Sequence, residues 1–308
     1  MTTKANQSNN VYQMVTDRII NQLEQGIIPW QKPWTGVSLA DGGAISYTSR
    51  KPYSLLNQML LGREGEYLTW KQIQDLGGKV KKGAESQMVV FFKMMVVEDK
   101  KPATPTSTED KPTEKKQKLI PLLRYYRVFH IDDTIGIESK IKAGEPLPDN
   151  KLKPIEQAEE LITGYLARES HLKFQNDKPS GKAFYSPLAD KVVVPMMSQF
   201  PMIEEYYSTT FHELTHSTSK DSRCNRPEGC NNIHFGSKDY SREELVAELG
   251  AAMLCNLSGI DCEKAFTNSV AYIQSWLRAL KNDNKMIVWA ASRAEKASRY
   301  IKGEPVEN

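Results

Sequence analysis

The spacing of apolar and polar positions changes period along the chain, and these changes outline its elements. In residues 11–28 the apolar side chains Val11, Met14, Val15, Ile19 and Leu23 recur at helical spacing, and Gly26 closes the segment. Residues 53–61 (YSLLNQMLL) and 69–76 (TWKQIQDL) predict two more helices, the second stopped by Gly77 and Gly78. At 87–97 (QMVVFFKMMVV) β-branched and aromatic residues crowd together and predict a strand, with a second at 121–132 (PLLRYYRVFHID). Residues 98–118 lie between them and hold Pro, Thr, Lys and Glu but no large apolar side chain. Such a segment buries too little surface to offset its ordering entropy, so it is expected to be the mobile loop of a long hairpin.

Residues 137–152 are rich in Gly, Pro and charge and predict a linker between two domains, 1–136 and 153–308. After it come a helix (PIEQAEELITGYLARE) and short strands (HLKFQ, AFYSPLADKVVVP). A helix over about 201–219 follows, then a Gly/Asn loop over about 221–239. Another helix begins near Ser241, and two more fill about 262–302. The expected class is α+β: an α+β front domain and a mainly helical rear domain with a small sheet.

The rear domain contains FHELTH. In a helix, residues four apart share a face, so the imidazoles of His212 and His216 can hold one cation. Glu213 sits about 100° round the helix, where it can take a proton from a cation-bound water as general base. HExxH is short enough to arise by chance. Here Tyr207, Phe211 and Leu214 supply an apolar backing face, and the chain has only five histidines.

A catalytic site of this kind needs a third protein ligand. The segment SREELVAELGAAML (241–254) pairs Ser241 with Glu244 as a capping box and puts Glu244 and Glu248 on one face. Two carboxylates directed at a core need a cation or donors. Glu244 is the expected third ligand, with Glu248 behind it, holding a histidine ring by its free N–H. Glu243 is the main competitor for the ligand position, His234 requires the 221–239 loop to fold back, and Tyr240 is a candidate to polarise a carbonyl. The run VVVP (192–195) is a candidate edge strand for an extended peptide. Two histidines and a glutamate suit zinc first and also accept manganese.

Charge adds a modest signal. The net charge is +3, but residues 1–136 hold 19 Lys+Arg against 14 Asp+Glu, whereas residues 137–308 hold 22 against 24. An anionic partner would therefore meet the front half. None of the four cysteines forms a CxxC pair, so no structural zinc knuckle is expected. With no apolar run of about 18 residues and a polar N-terminus, neither a membrane span nor a signal peptide is expected, which points to the cytoplasm. Oligomeric state is not legible.

Several segments together, YLTWKQIQDLGGKVKKG, VVFFK, RYYRVFHID, AFYSP, FHELTHST, SREELVAELGAAML and YIQSWLRALKND, resemble the ArdC-type antirestriction proteins of conjugative plasmids. The resemblance spans nearly the whole chain outside 98–118. It implies a front domain that binds single-stranded DNA and a zincin-like metallopeptidase domain behind it. It also implies a role in protecting incoming plasmid DNA from host restriction. By position, His212, Glu213, His216 and Glu244 take the metal and catalytic places.

Single strands are held by basic grooves with aromatic platforms. The front half offers Trp30, Lys32 and Trp34 in one elbow and Trp70 with Lys71 at a helix start. Lys79, Lys81 and Lys82 lie around the Gly77, Gly78 and Gly83 turn, and Arg124, Tyr126 and Arg127 on one strand. Alternation puts Tyr125 with Arg127 on one face and Arg124 with Tyr126 on the other. For Trp30, Trp70 and Phe91 the competing reading is burial in the core. Two rival functions remain. One is a DNA-coating protein whose metal only braces the fold. The other is a protease acting on restriction enzymes or other DNA-bound proteins, in the manner of SprT-like proteases.

Overall fold

The computed structural model describes residues 4–30, 43–98, 117–141, 154–226, 238–261 and 270–306. The front half opens with helix α1 (Lys4–Glu24), strand β1 (Ala44–Ser46) and helix α2 (Leu55–Leu61). It continues with β2 (Gly65–Thr69), α3 (Trp70–Asp75), β3 (Lys79–Val80), β4 (Gln87–Glu98), β5 (Gln117–His130) and β6 (Thr134–Ile135). Thr69 and Gln72 close a capping box at the start of α3. The main sheet has the order β1-β2-β5-β4. The β4–β5 ladder runs unbroken from Gln87↔Val128 to Glu98↔Gln117, whereas β2 covers only positions 128–130 of β5. Most of this hairpin therefore extends beyond the sheet as a two-stranded ribbon. Of the loop expected at 98–118, Glu98, Gln117 and Lys118 are in strands and 99–116 lie outside the described residues, as do 142–152 of the expected linker.

The rear half holds α4 (Pro154–Arg168), β7 (Lys173–Gln175), β8 (Phe184–Ser186), β9 (Lys191–Val193) and α5 (Ile203–Ser217). It ends with α6 (Lys238–Leu257), α7 (Val270–Asn282) and α8 (Met286–Lys302). The small sheet has the order β7-β9-β8. The 192–195 run expected at an edge is therefore central: β7 pairs β9 in parallel on one side and β8 pairs it antiparallel on the other. Val192, Val193 and Val194 are all buried, which explains an unbroken apolar run where an edge strand would alternate.

One apolar cluster crosses the middle of the chain. It joins Val15, Ile19 and Leu23 of α1 and Met59 and Leu60 of α2 to Leu245 and Leu249 of α6, Trp276 and Leu280 of α7, and Ile287 of α8. Trp30 belongs to it. Only 3% exposed, it meets the Trp276 ring edge-on at 6.3 Å. Its expected place among nucleic-acid contacts is therefore corrected: the indole is wedged between the first helix and the C-terminal helices, where burial of a large ring outweighs any surface use. A second cluster, built on Tyr165, Val192, Tyr207, Phe211, Leu214 and Leu254, backs the rear half.

The crossing of α5 and α6 depends on one small residue. A Cβ at Gly250 would lie 2.6 Å from Thr215 Cγ2 and 2.7 Å from its Oγ1. Both atoms are buried and Thr215 is fixed by its bond to the Phe211 carbonyl, so neither helix can yield cheaply. Gly250→Ala is expected to cost about 1–3 kcal/mol through overpacking. Urea denaturation checks this, and a neutral result would show that the crossing is looser than drawn.

Candidate functional site

Helix α5 presents two faces. Tyr207, Phe211 and Leu214 are buried in the rear core, and Glu204 and Glu205 in the first turn suit the positive end of the helix dipole. That packing turns His212 and His216 together toward α6. Their Nε2 atoms lie 3.1 Å apart. The Glu244 carboxylate straddles them, with Oε2 3.6 Å from His212 Nε2 and Oε1 3.6 Å from His216 Nε2. One ligand atom from each of the three residues lies within 4.8 Å of the others. Ligands about 2.0–2.2 Å from a shared tetrahedral ion stand about 3.3–3.6 Å from one another, so the donor set and its spacing both fit a divalent cation.

The electrostatics agree. Burial alone would lower the His212 pKa, but the Glu244 contact and the charges of Glu248 and Glu213 outweigh it and hold the ring up at about 9. The surroundings therefore stabilise positive charge at this point. Glu213 is itself buried, one position along the helix from the first ligand.

The residues around these ligands differ from expectation. His216 Nδ1 donates to Glu243 Oε1 at 3.4 Å, which leaves Nε2 facing Glu244 and His212. Glu243, the competitor for the ligand position, is thus turned away from it. At His216 the contact expected of Glu248 is made by Glu243, while Glu248 lies near His212. Among the described residues Glu248 Oε2 is buried without a well-formed hydrogen bond, with His212 and Tyr272 beside it. Helix α6 starts at Lys238, a turn before the expected cap at Ser241. Tyr240 lies in its first turn, and His234 lies outside the described residues. A bidentate partner for Glu243 in Arg226 had no counterpart in the sequence reading, because nothing in the spacing of 226 and 243 signals it.

The front half carries a second candidate. Trp70, Phe91, Phe92, Tyr125 and Tyr126 are each between 43% and 59% exposed. Lys71, Lys79, Lys81, Lys82, Arg124 and Arg127 are exposed as well, although Lys81 Nζ also donates to the Asp132 carbonyl at 2.6 Å. On one face of β5, the Arg127 guanidinium lies 5.9 Å from the Tyr125 ring centre, and Phe129 carries the line on to Trp70 at 6.0 Å. On the other, Tyr126 and Arg124 share a face with Phe91, which is paired with Arg124. Phe92 was not singled out in the sequence, and Phe91, whose competing reading was burial in the core, is exposed. The ribbon's limited pairing with β2, which leaves these rings exposed among the described residues, is invisible in local sequence. Lys32 and Trp34 lie outside the described residues.

Comparison with known proteins places both halves. Residues 9–129 match the N-terminal domain of anti-restriction factor ArdC, and residues 157–293 match a zincin-like metallopeptidase family. The chain is 28% identical to a DNA primase TraC of Escherichia coli over 94% of its length and 29% to a second, yet spans only 20% and 27% of those primases. A protein of Sinorhizobium fredii, y4eC, is 27% identical over 95% of this chain and 91% of its own. Crystal structures of the antirestriction ArdC protein from R388 plasmid, metal-free and Mn(II)-bound, align with a TM-score of 0.65 at 29% identity. They cover 94–95% of this chain and 96–97% of theirs. The chain thus joins a domain similar to the N-terminal domain of anti-restriction factor ArdC to a zincin-like one, and shares the two-domain α+β architecture of the ArdC protein from R388 plasmid.

Proposed function

We propose that this protein binds single-stranded DNA through residues 1–136 and protects incoming conjugative plasmid DNA from host restriction in the cytoplasm. In this reading residues 137–152 link it to a metallopeptidase unit at 153–308, whose targets are restriction enzymes or other proteins bound to the entering strand. The observation that carries the reading is the exposed aromatic and basic ribbon of β4 and β5 in the same chain as the His212–His216–Glu244 cluster. Among the described residues no helix is long and apolar enough to cross a membrane.

His212, His216 and Glu244 would hold one divalent ion, zinc as first choice and manganese as its competitor, given the Mn(II)-bound relative. A bound ion would supply an acidified water and polarise a scissile carbonyl. Glu213 would accept the proton and pass it to the departing amine. Strand β8, an edge strand in contact with α5, offers open backbone for an extended peptide. In a second reading the metal only braces a DNA-masking protein. The core that α1 and α2 share with α6, α7 and α8 favours it, since it ties the cluster's scaffold to the front half.

Binding to single-stranded DNA is expected to weaken steeply with salt, because neutralised phosphates release counterions. Tyr125→Ala is expected to lower affinity by about 1–3 kcal/mol, the loss of one stacked base. Fluorescence anisotropy across a salt series measures both. Equal affinity for duplex, or a flat salt response, would sink the reading.

A further inference from the structure

The contact behind His216 extends further than a single carboxylate. Glu243 and Arg226 are 4% and 2% exposed and face each other as a fork on a fork: Arg226 Nη2 donates to Oε1 at 2.7 Å and Nε to Oε2 at 3.1 Å. The same guanidinium donates through Nη1 to Thr218 Oγ1 at 2.7 Å and through Nη2 to the Thr215 carbonyl at 2.9 Å. Its backbone N–H bonds the Ser219 carbonyl at 2.7 Å. Arg226 is thus fastened to the last turn of α5, the turn that carries His216, while Glu243 comes from α6 beside Glu244. Burial would push the Glu243 carboxyl up, and Arg226 and His216 together more than reverse this.

We infer that Arg226 and Glu243 are positioning residues for the metal centre. They lock His216 with its proton on Nδ1 and its Nε2 aimed at the ion, and they fix α6 so that Glu244 arrives in register with both histidines. The inference rests on the metal-centre reading above. The two histidines are then held unequally. His216 is gripped by a charged pair that bridges α5 and α6, whereas His212 has Glu244 at 3.6 Å and the charges of Glu248 and Glu213 beside it, and no such pair behind it among the described residues. A carboxylate that orients a ligating imidazole through its free N–H commonly changes metal affinity by about 10–100-fold. A plain structural ion pair would stabilise the fold without touching that affinity.

The test uses the full chain, with zinc and manganese titrated calorimetrically and the His216 ring nitrogens read by ¹⁵N NMR. Glu243→Gln keeps an acceptor and the volume but removes the charge. It is expected to weaken metal binding by about 10–100-fold and to broaden the His216 tautomer population, while Glu248→Gln changes affinity less. Arg226→Lys keeps the positive charge and loses the fork, so a purely electrostatic role leaves affinity unchanged, whereas positioning lowers it about tenfold. It also serves if Glu243→Gln fails to fold. Wild-type affinity in a folded Glu243→Gln or Arg226→Lys protein overturns the inference, as does an equal loss in Glu248→Gln. Failure of the wild type itself to bind either ion is a different outcome: it removes the metal-centre reading beneath.

Discussion

Glu213→Gln is expected to bind metal as tightly as the wild type and to lose metal-dependent peptide hydrolysis by about 10²–10⁴-fold, the usual contribution of a positioned general base. The two halves of this expectation come from different parts of the geometry. Glu213 stands outside the ligand set, which His212, His216 and Glu244 complete among the described residues. Its carboxylate is buried on the same helix, so an isosteric amide preserves packing and removes only the proton acceptor. Calorimetric titration with zinc and manganese checks the first half, and product analysis after incubation with restriction enzymes, with and without single-stranded DNA, checks the second. The variant also separates the proposed functions. Loss of protection in conjugation along with hydrolysis ties antirestriction to proteolysis. Full protection with metal still bound means that the strand is masked, and the metal is a brace.

The parts of this site that were legible in the sequence are those set by one helix. His212, Glu213 and His216 follow from spacing along α5 alone, and the structure turns the two imidazoles to a common point as spacing requires. Glu244 was reachable because a charged residue among the apolar positions of α6 needs a reason to be there. Glu243 was not. Adjacent glutamates point about 100° apart, and which of them meets Nε2 and which Nδ1 of His216 depends on the rotation of α6 against α5, a tertiary matter. Trp30 and Phe91 fail in opposite directions for the same cause. An aromatic next to basic residues looks alike whether three helices close over it or a ribbon carries it past the sheet, and only pairing over long sequence separation distinguishes them. The central place of β9 was hidden similarly, since its partners are short strands with little pattern of their own.

Asp190→Asn is expected to destabilise the protein by about 3–5 kcal/mol, the cost of removing one partner from a buried ion pair. Asp190 Oδ1 accepts from Arg223 Nη1 at 2.8 Å and from the Tyr185 hydroxyl at 3.0 Å, and Oδ2 accepts from Arg223 Nη2 at 2.9 Å and Lys220 Nζ at 2.7 Å. Burial pushes the carboxyl up, yet Arg223 and Lys220 hold it down at about 2. The backbone at Asp190 has φ 43°, a conformation that asparagine tolerates as well as aspartate, so the substitution tests charge with the turn kept intact. Arg223 also donates to the Ser217 carbonyl at the end of α5, so the network anchors the segment that follows the helix of His212 and His216. The pH dependence gives the sign. A carboxyl whose pKa is depressed on folding contributes its full stability above the ordinary value of 3.8 and loses it as pH falls through about 2. That depression corresponds to on the order of 2 kcal/mol. In urea melts the gap between wild type and variant should therefore be widest near neutrality and narrow between about pH 4 and pH 2. A gap that stays constant over that range would assign the loss to packing in the turn instead of to the ion pair.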